Sequence, residues 1–289
     1  MEKGAKNLSF PLDGKYIVML APSFVVDFSY PEIISKLKDL GFYKVVEITF
    51  GAKMINRDYH KRLEKTKELV IASVCPGIVE TIKAKYPQYK KNLINVDSPM
   101  AATAKICRKI YPEHKNVFIA PCSFKKIEAQ DSKYVDYVID YKELKKILEE
   151  QGINKKKYPK ENIFFDKFYN DYTKIYPLSG GLSKTARVKE VLKPEETRIV
   201  DGIADVIKFL ENPEKGIRFL DVTFCKGGCI GGPSVNSKLP LLLRKKKVLN
   251  YMKIAAKEVI PEERKGIIKE AAGISFKSEY PNKNLLRGS

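Results

Sequence analysis

Cys225 and Cys229 form a C-x3-C pair inside the stretch FCKGGCIGGPS, among Gly227, Gly228, Gly231 and Gly232. Two further cysteines stand alone far upstream, Cys75 in SVCPG and Cys122 in APCSF. Four thiolates suit zinc or an iron–sulfur cluster. Structural zinc is usually built on close pairs such as C-x2-C, so one wider pair and two distant single cysteines make a compact zinc ribbon a poor reading. A cluster that gathers ligands from separate segments fits the spacing better; zinc, or thiols with no shared role, are the other readings. Glycine lets a backbone approach something bulky or adopt positive φ, so the bare loop predicts a close approach between Cys225–Cys229 and a large neighbour. The fifth cysteine, Cys107, shares an apolar helix stripe with Ile106 and Ile110 and reads as a buried core thiol.

The elements around these residues alternate. Apolar runs at Lys15–Ala21, Tyr43–Phe50 and Leu69–Val74 read as strands, separated by helices at Pro31–Gly41 and near Arg57–Glu68. A second set follows Pro112: strands at Asn116–Ala120, Tyr134–Ile139 and Ile217–Phe224, helices at Tyr141–Gly152 and Asp201–Asn212. Between the sets, Ser98 is placed to cap a helix that has Pro99 at its first position. The pattern predicts an α/β fold of two lobes, with mainly parallel sheets flanked by helices and a metal cluster between the lobes. The expected division of a single catalytic unit 1–289 is into lobes 1–111 and 112–238, with two C-terminal helices broken at Pro261 within 239–289. Cys75, Cys122 and Cys225 each follow a predicted strand, and ligands of open α/β sheets bind at the carboxyl ends of strands.

Composition narrows the class. Hydrophobic residues make up 44% of the chain, which is globular rather than disordered. No run of 18 apolar residues and no signal-peptide core are present, so no membrane span is expected and the cytoplasm is the expected compartment. An odd cysteine count without a secretory signal argues against a disulfide framework. The formal net charge of +19 draws acidic partners. Its densest runs are Ile153–Lys160 and Leu241–Glu258. No zinc-finger, RNA-recognition or helix-turn-helix signature accompanies them, so no nucleic acid is expected.

Taken in order, SVCPGIVE, APCSFKKIEA and TFCKGGCIGGPS resemble the three signature segments of iron-only (iron–iron) hydrogenases. LAPSF, DSPM and LSGGL add to a similarity that runs from about Lys15 to Leu241. The resemblance implies that Cys75, Cys122, Cys225 and Cys229 ligate a four-iron four-sulfur cubane. Cys229 would also bridge it to a diiron subcluster bearing carbon monoxide, cyanide and a dithiolate amine, the assembly called the H-cluster. It implies that Lys125, the expected catalytic residue, hydrogen-bonds one cyanide, that Ala21, Pro22 and Ser23 cradle the other, and that Ser98 is a further cofactor-binding residue. It implies reversible interconversion of protons, electrons and dihydrogen, maturation proteins that install the diiron unit, and an external electron carrier, best an acidic ferredoxin. Two alternatives stay open: a slow hydrogen-sensing homologue, and an iron–sulfur scaffold or assembly protein without the diiron site.

Departures from the family pattern are as informative. The cysteine that relays protons just before the first ligand is replaced by Val74, and the paired glutamates further along that relay fall near Tyr59 and Arg62. Ala120 and Thr223 stand where methionines flank the diiron site. Glu80, Asp58, Ser98 and ordered water are the candidates for another route. No cysteines remain for an internal wire of further clusters, so electrons are expected to come directly from a partner.

Overall fold

The computed structural model describes residues 3, 4, 7–159 and 162–283. Two wholly parallel sheets organise it. The first has the order β2-β1-β4-β5, from β1 (Tyr16–Leu20), β2 (Lys44–Glu47), β4 (Lys115–Ala120) and β5 (Tyr137–Asp140). The second has the order β3-β7-β6, from β3 (Val70–Ile71), β6 (Thr197–Asp201) and β7 (Phe219–Thr223). Helices make the crossovers that parallel strands require. They are α1 (Glu32–Asp39), α2 (Thr49–Lys65), α3 (Pro76–Lys85), α4 (Pro99–Ile110), α5 (Phe124–Gln130), α6 (Tyr141–Glu150), α7 (Gly181–Thr185), α8 (Ile203–Glu211) and α9 (Leu241–Ala255). No described helix is long and apolar enough to cross a membrane.

The period-two alternation of β1 divides the interior. Ile17 and Met19 join a core between the two sheets that also holds Phe118, Ile71, Leu220 and Val222. Val18 and Leu20 face the other way, into a core closed by α1, α6 and α9. Burial on both faces is why these strands read as unbroken apolar runs.

The α/β class holds, while the sheets do not divide at residue 112. The first sheet draws on residues 16–47 and 115–140; the second on 70–71 and 197–223. After β2 the chain crosses through α2 to lay β3 beside β7, with Val70 opposite Phe219, then returns through α4 to place β4 beside β1. Three local expectations also change. Residues 49–50, read as strand, begin α2, whose Phe50, Met54, Tyr59 and Leu63 recur at helical spacing and are buried. Edge strand β6, TRIVD, went unread because its charged and exposed residues give no apolar signal. Beyond Pro261 the chain forms short 3-10 turns, at Glu262–Arg264 and Ile268–Ala271, instead of a second α-helix. Its backbone is drawn into pairing with Tyr169: Tyr169 N–H donates to Arg264 O at 2.9 Å, and Gly266 N–H to Tyr169 O at 3.0 Å.

Candidate metal centre

Three strand ends deliver the four cysteines. Cys75 follows β3 in extended conformation and stands just before α3, with Pro76 in the first turn. Cys122 lies between β4 and α5, and Cys225 and Cys229 follow β7. All four line one cavity, whose wall also includes Ala21, Pro22, Ser23 and Lys125. Burial pushes the Cys122 thiol up to about 11, helped by Cys75, and the Cys225 thiol up to about 12, helped by Cys122 and Cys75. Burial raises Cys229 further, with contributions from Cys75, Cys225 and Cys122, and Lys125 opposes the rise. The thiols therefore lie within electrostatic reach of one another. Cys229 is exposed by surface area yet enclosed by protein, because what it meets is the cavity rather than the outer surface. Among the described residues, no three His, Cys, Asp or Glu side chains close on one point as they would around a single metal ion. Cys107 is apart from this group: it is fully buried in the apolar core on α4.

The glycines answer to protein, not only to a bound group. A Cβ on Gly228, which has φ +82°, would sit 2.5 Å from Pro177 O, and one on Gly232 would sit 2.4 Å from Pro121 O. Cys229 N–H donates to Pro177 O at 2.7 Å, and Ser234 N–H to Pro121 O at 3.1 Å. The bare stretch thus locks the Cys225–Cys229 loop against the Pro177 and Pro121 loops, which form other parts of the same wall.

Polar groups follow a definite layout. Lys125 Nζ donates to Val74 O at 3.2 Å and to Glu128 Oε2 at 2.5 Å. Ser98 caps α4, accepting from Ala101 N–H at 3.4 Å, and donates to Glu128 Oε1 at 2.5 Å. It is buried behind the wall; Pro99 and Met100 are the residues of that segment that line the cavity. Ser23 and Tyr141 share a hydrogen bond of 2.7 Å, and Tyr141 Oη also donates to Ala21 O at 3.3 Å. With Tyr141's proton on Ala21, the Ser23 hydroxyl is committed to Tyr141 rather than free to face the cavity.

At the positions where the family's relay glutamates fall, Tyr59 is fully buried and its Oη accepts Ser73 N–H at 3.1 Å, while Arg62 is exposed. Glu80 pairs with Lys83 at 3.0 Å. Asp58 faces a separate surface groove beside Arg57 and Lys61. Two cavity residues escaped the sequence reading. Tyr176 has a buried hydroxyl with no hydrogen-bond partner among the described residues. Asp221 is buried in β7 and its Oδ2 accepts Ser183 N–H at 2.9 Å and Ser183 Oγ–H at 2.7 Å. A carboxylate inside the apolar run FLDVT was the available signal for Asp221; nothing marked Tyr176.

Asp97, just before α4, has its carboxyl pushed up to about 6 by burial, against the opposing Lys105 ammonium 2.5 Å away. An unfolded Asp titrates near about 4. The folded chain thus holds this proton more tightly, so its stabilising effect is full at low pH and is lost as pH rises through about 6. The melting temperature should fall across that window, and Asp97→Asn should flatten the fall. An unchanged slope in thermal melts against pH would reject the assignment.

Residues 14–233 match the family described as "Iron only hydrogenase large subunit, C-terminal domain". The chain belongs to this family. Iron hydrogenase 1 of Clostridium pasteurianum is 27% identical over 266 residues, covering 72% of this chain and 46% of that protein. The chain therefore spans about half the length of that relative. The cytosolic Fe-S cluster assembly factor NAR1 of Kluyveromyces lactis is 31% identical over 124 residues, 40% of this chain and 26% of that protein. Among solved structures, an apo variant of the FeFe-hydrogenase HydA1 from Chlamydomonas reinhardtii superposes with TM-score 0.62 at 16% identity, over 88% of this chain and 86% of that one. The HydA structure from a study of stepwise H-cluster assembly gives 0.63, also at 16% identity, over 89% and 86%. Those structural likenesses establish the fold. Membership in the family supports an iron–sulfur site here without dividing hydrogenases from assembly factors.

Proposed function

We propose that this chain is a minimal iron–iron hydrogenase, acting in the cytoplasm on protons and dihydrogen with electrons from an external carrier. The observation that carries this reading is the joint placement of Lys125 and the Ala21–Ser23 turn on the same cavity as the four thiols. A bare cubane needs only thiolates. An ammonium and a second wall facing the same space suit an additional, anionic group. The residues fit an H-cluster in other respects: soft sulfur donors arrive from three loops, Phe224 N–H points at Cys75 Sγ from 3.5 Å, and the Tyr176 hydroxyl has no partner among the described residues.

Cys75, Cys122, Cys225 and Cys229 would hold the cubane, with Cys229 shared with the diiron unit. When bound, that group supplies the redox chemistry that joins protons and electrons into dihydrogen. The protein's part is to orient it, to hold Lys125 in place through Glu128, and to limit water with apolar residues such as Val74, Met100, Phe118 and Leu182.

A second reading, an iron–sulfur assembly factor, is favoured by the similarity to NAR1 and by the replacements at Val74, Tyr59 and Arg62. A hydrogen sensor would share the full cofactor and turn over slowly. The test is infrared spectroscopy after maturation with a synthetic diiron precursor, together with a hydrogen-evolution assay. Metal-bound carbon monoxide and cyanide bands with turnover support the enzyme; bands with negligible turnover indicate the sensor; a cubane without bands indicates the assembly factor.

Electron delivery by an acidic ferredoxin is part of the same reading. The structure separates the two basic runs. Helix α9 packs on the cysteine loop, where Arg244 Nη1 donates to Ile230 O at 2.9 Å, and Lys245 and Lys246 are exposed on it. In the other run, Lys156 is paired with Asp39 at 2.7 Å. Turnover with an acidic ferredoxin should fall as salt rises, because the Debye length shrinks from about 10 Å at 0.1 M. A neutral small-molecule donor should be nearly indifferent to salt. Charge reversal at Lys245 and Lys246 should weaken the ferredoxin reaction more than reversal at Lys155–Lys157. Equal salt effects on both donors would remove electrostatic steering from the account.

A further inference from the structure

We propose that Leu239, Leu241, Leu242 and Leu243 form the apolar centre of a docking face for an acidic electron-carrier protein, and that this face seats the carrier against the Cys225–Cys229 loop. The proposal rests on the iron–sulfur reading above and does not require the diiron unit. Lysines of α9 draw the carrier in; the leucines hold it.

The four leucines are out of place on a lysine-rich surface. All are exposed, Leu242 at 64%. Other exposed large apolar side chains are spread along the chain singly or in pairs, and isolated ones need no explanation. Four within five positions make a contiguous patch, and an apolar patch rimmed by polar groups marks an interaction site.

The patch is fixed to the cysteine loop. A Cβ on Gly227 would sit 3.2 Å from Leu241 Cδ2, and one on Gly231 would sit 3.6 Å from it, so Leu241 lies directly on the bare backbone of that loop. Arg244 completes the link. Its guanidinium donates to Leu239 O at 2.7 Å and Ser237 O at 2.6 Å on the patch side, and to Ile230 O at 2.9 Å, next to Cys229. Three carbonyls held by one planar fork leave the patch little freedom to lose on binding. A carrier seated there touches the loop that supplies half of the cavity's thiols.

Charge selects the occupant. Lys245 and Lys246 stand one turn beyond Leu241 and Leu242 on α9, and Lys238 precedes Leu239, so ammoniums edge the patch. These three are exposed and have no hydrogen-bond or ion-pair partner among the described residues, whereas Arg244, Lys247 and Lys226 are engaged. A second copy would set the patch against itself, lysine against lysine, between chains of formal charge +19. An anionic lipid surface matches the charge but has no electron to give to the loop on which the patch is fixed. Carboxylates around an apolar spot on a redox protein match the rim, the centre and the position together. In the transfer, the carrier loses one electron and the cubane gains one; no bond forms or breaks.

The test uses the chain with its cubane loaded and a purified acidic two-cluster ferredoxin as the probe. In calorimetry, Leu242→Ser combined with Leu243→Ser should weaken binding about 10-fold and shrink the negative heat-capacity change of association. Salt does not screen apolar contact, so this loss should persist at about 1 M salt, where the Debye length is about 3 Å. The effect of Lys245→Glu with Lys246→Glu should vanish there. Leu242→Met with Leu243→Met keeps the apolar surface and should bind like the parent. Stopped-flow reduction of the cubane by sub-saturating reduced ferredoxin should slow in the double serine variant, at unchanged melting temperature and unchanged reduction by dithionite. A double serine variant that binds ferredoxin as tightly as the parent overturns the docking face. So does one that loses only self-association in sedimentation, or only binding to phosphatidylglycerol vesicles. Leucine-dependent binding that leaves a loaded cubane unreduced overturns it as well. A chain that takes up no cubane fails the iron–sulfur reading instead, and calorimetry on that chain still decides whether the leucines hold the ferredoxin.

Discussion

Serine at Cys75, Cys122, Cys225 or Cys229 should strip the protein of most of its iron, one substitution at a time. The four thiols line one cavity and act on each other electrostatically, although they come from three strand ends. A cluster held from several sides has no spare ligand. Outer partners of metal ligands are worth about 10- to 100-fold in affinity, so loss of a ligand itself should exceed that. Cys107→Ala is the control. That side chain is fully buried in apolar surroundings, so its loss should lower stability by about 1 kcal/mol and leave iron content unchanged. Iron analysis and visible absorption on the reconstituted proteins measure the outcome. A full cluster in Cys122→Ser would remove Cys122 from the ligand set, and iron loss in Cys107→Ala would break the division between core thiol and site thiols.

Lys125→Ala should lose the diiron unit far more readily than the cubane. Lys125 is not a sulfur donor, so the cubane keeps all four ligands. The cavity instead loses its ammonium, and with it the attraction for an anionic group. There is a second effect to separate. Glu128 would be left buried without its cation, and breaking a buried pair costs about 3–5 kcal/mol. The double variant Lys125→Met, Glu128→Gln removes that stranded charge and should recover stability without recovering the diiron unit. Iron content, infrared bands and melting temperature on the same samples distinguish the two effects. Equal loss of both metal units in the double variant, or loss of neither, would count against a role for Lys125 at the second unit.

The strand ends were more legible in the sequence than the way the chain divides between the two sheets. Cys75, Cys122 and Cys225 could be placed at strand ends because each follows a buried apolar run, with Cys229 in the loop after Cys225, and parallel strands announce themselves that way. The Ser98 cap was legible for a local reason, a hydroxyl before Pro99 and an apolar helix. The division of the sheets was not, because it depends on β3, two residues long, joining a strand far along the chain. Glycine spacing pointed to a crowded loop, yet only the structure shows Pro177 O and Pro121 O as the crowding atoms. Nothing in the run SFKKIEA singles out Glu128, because its hydrogen bond to Ser98, thirty positions away in sequence, is a contact that no periodicity reports.

The interleaving of the two sheets also sets a timetable for making the protein. Val70 pairs with Phe219, and the loop after β7 supplies half of the cysteines that line the cavity. A chain emerging from the ribosome at about 5–20 residues per second presents Cys75 and Cys122 well before Cys225 and Cys229 exist. Iron offered during that interval would meet two thiols and an unpaired β3. A site that needs all four thiols can therefore be complete only once β7 has paired with β3 and closed the second sheet.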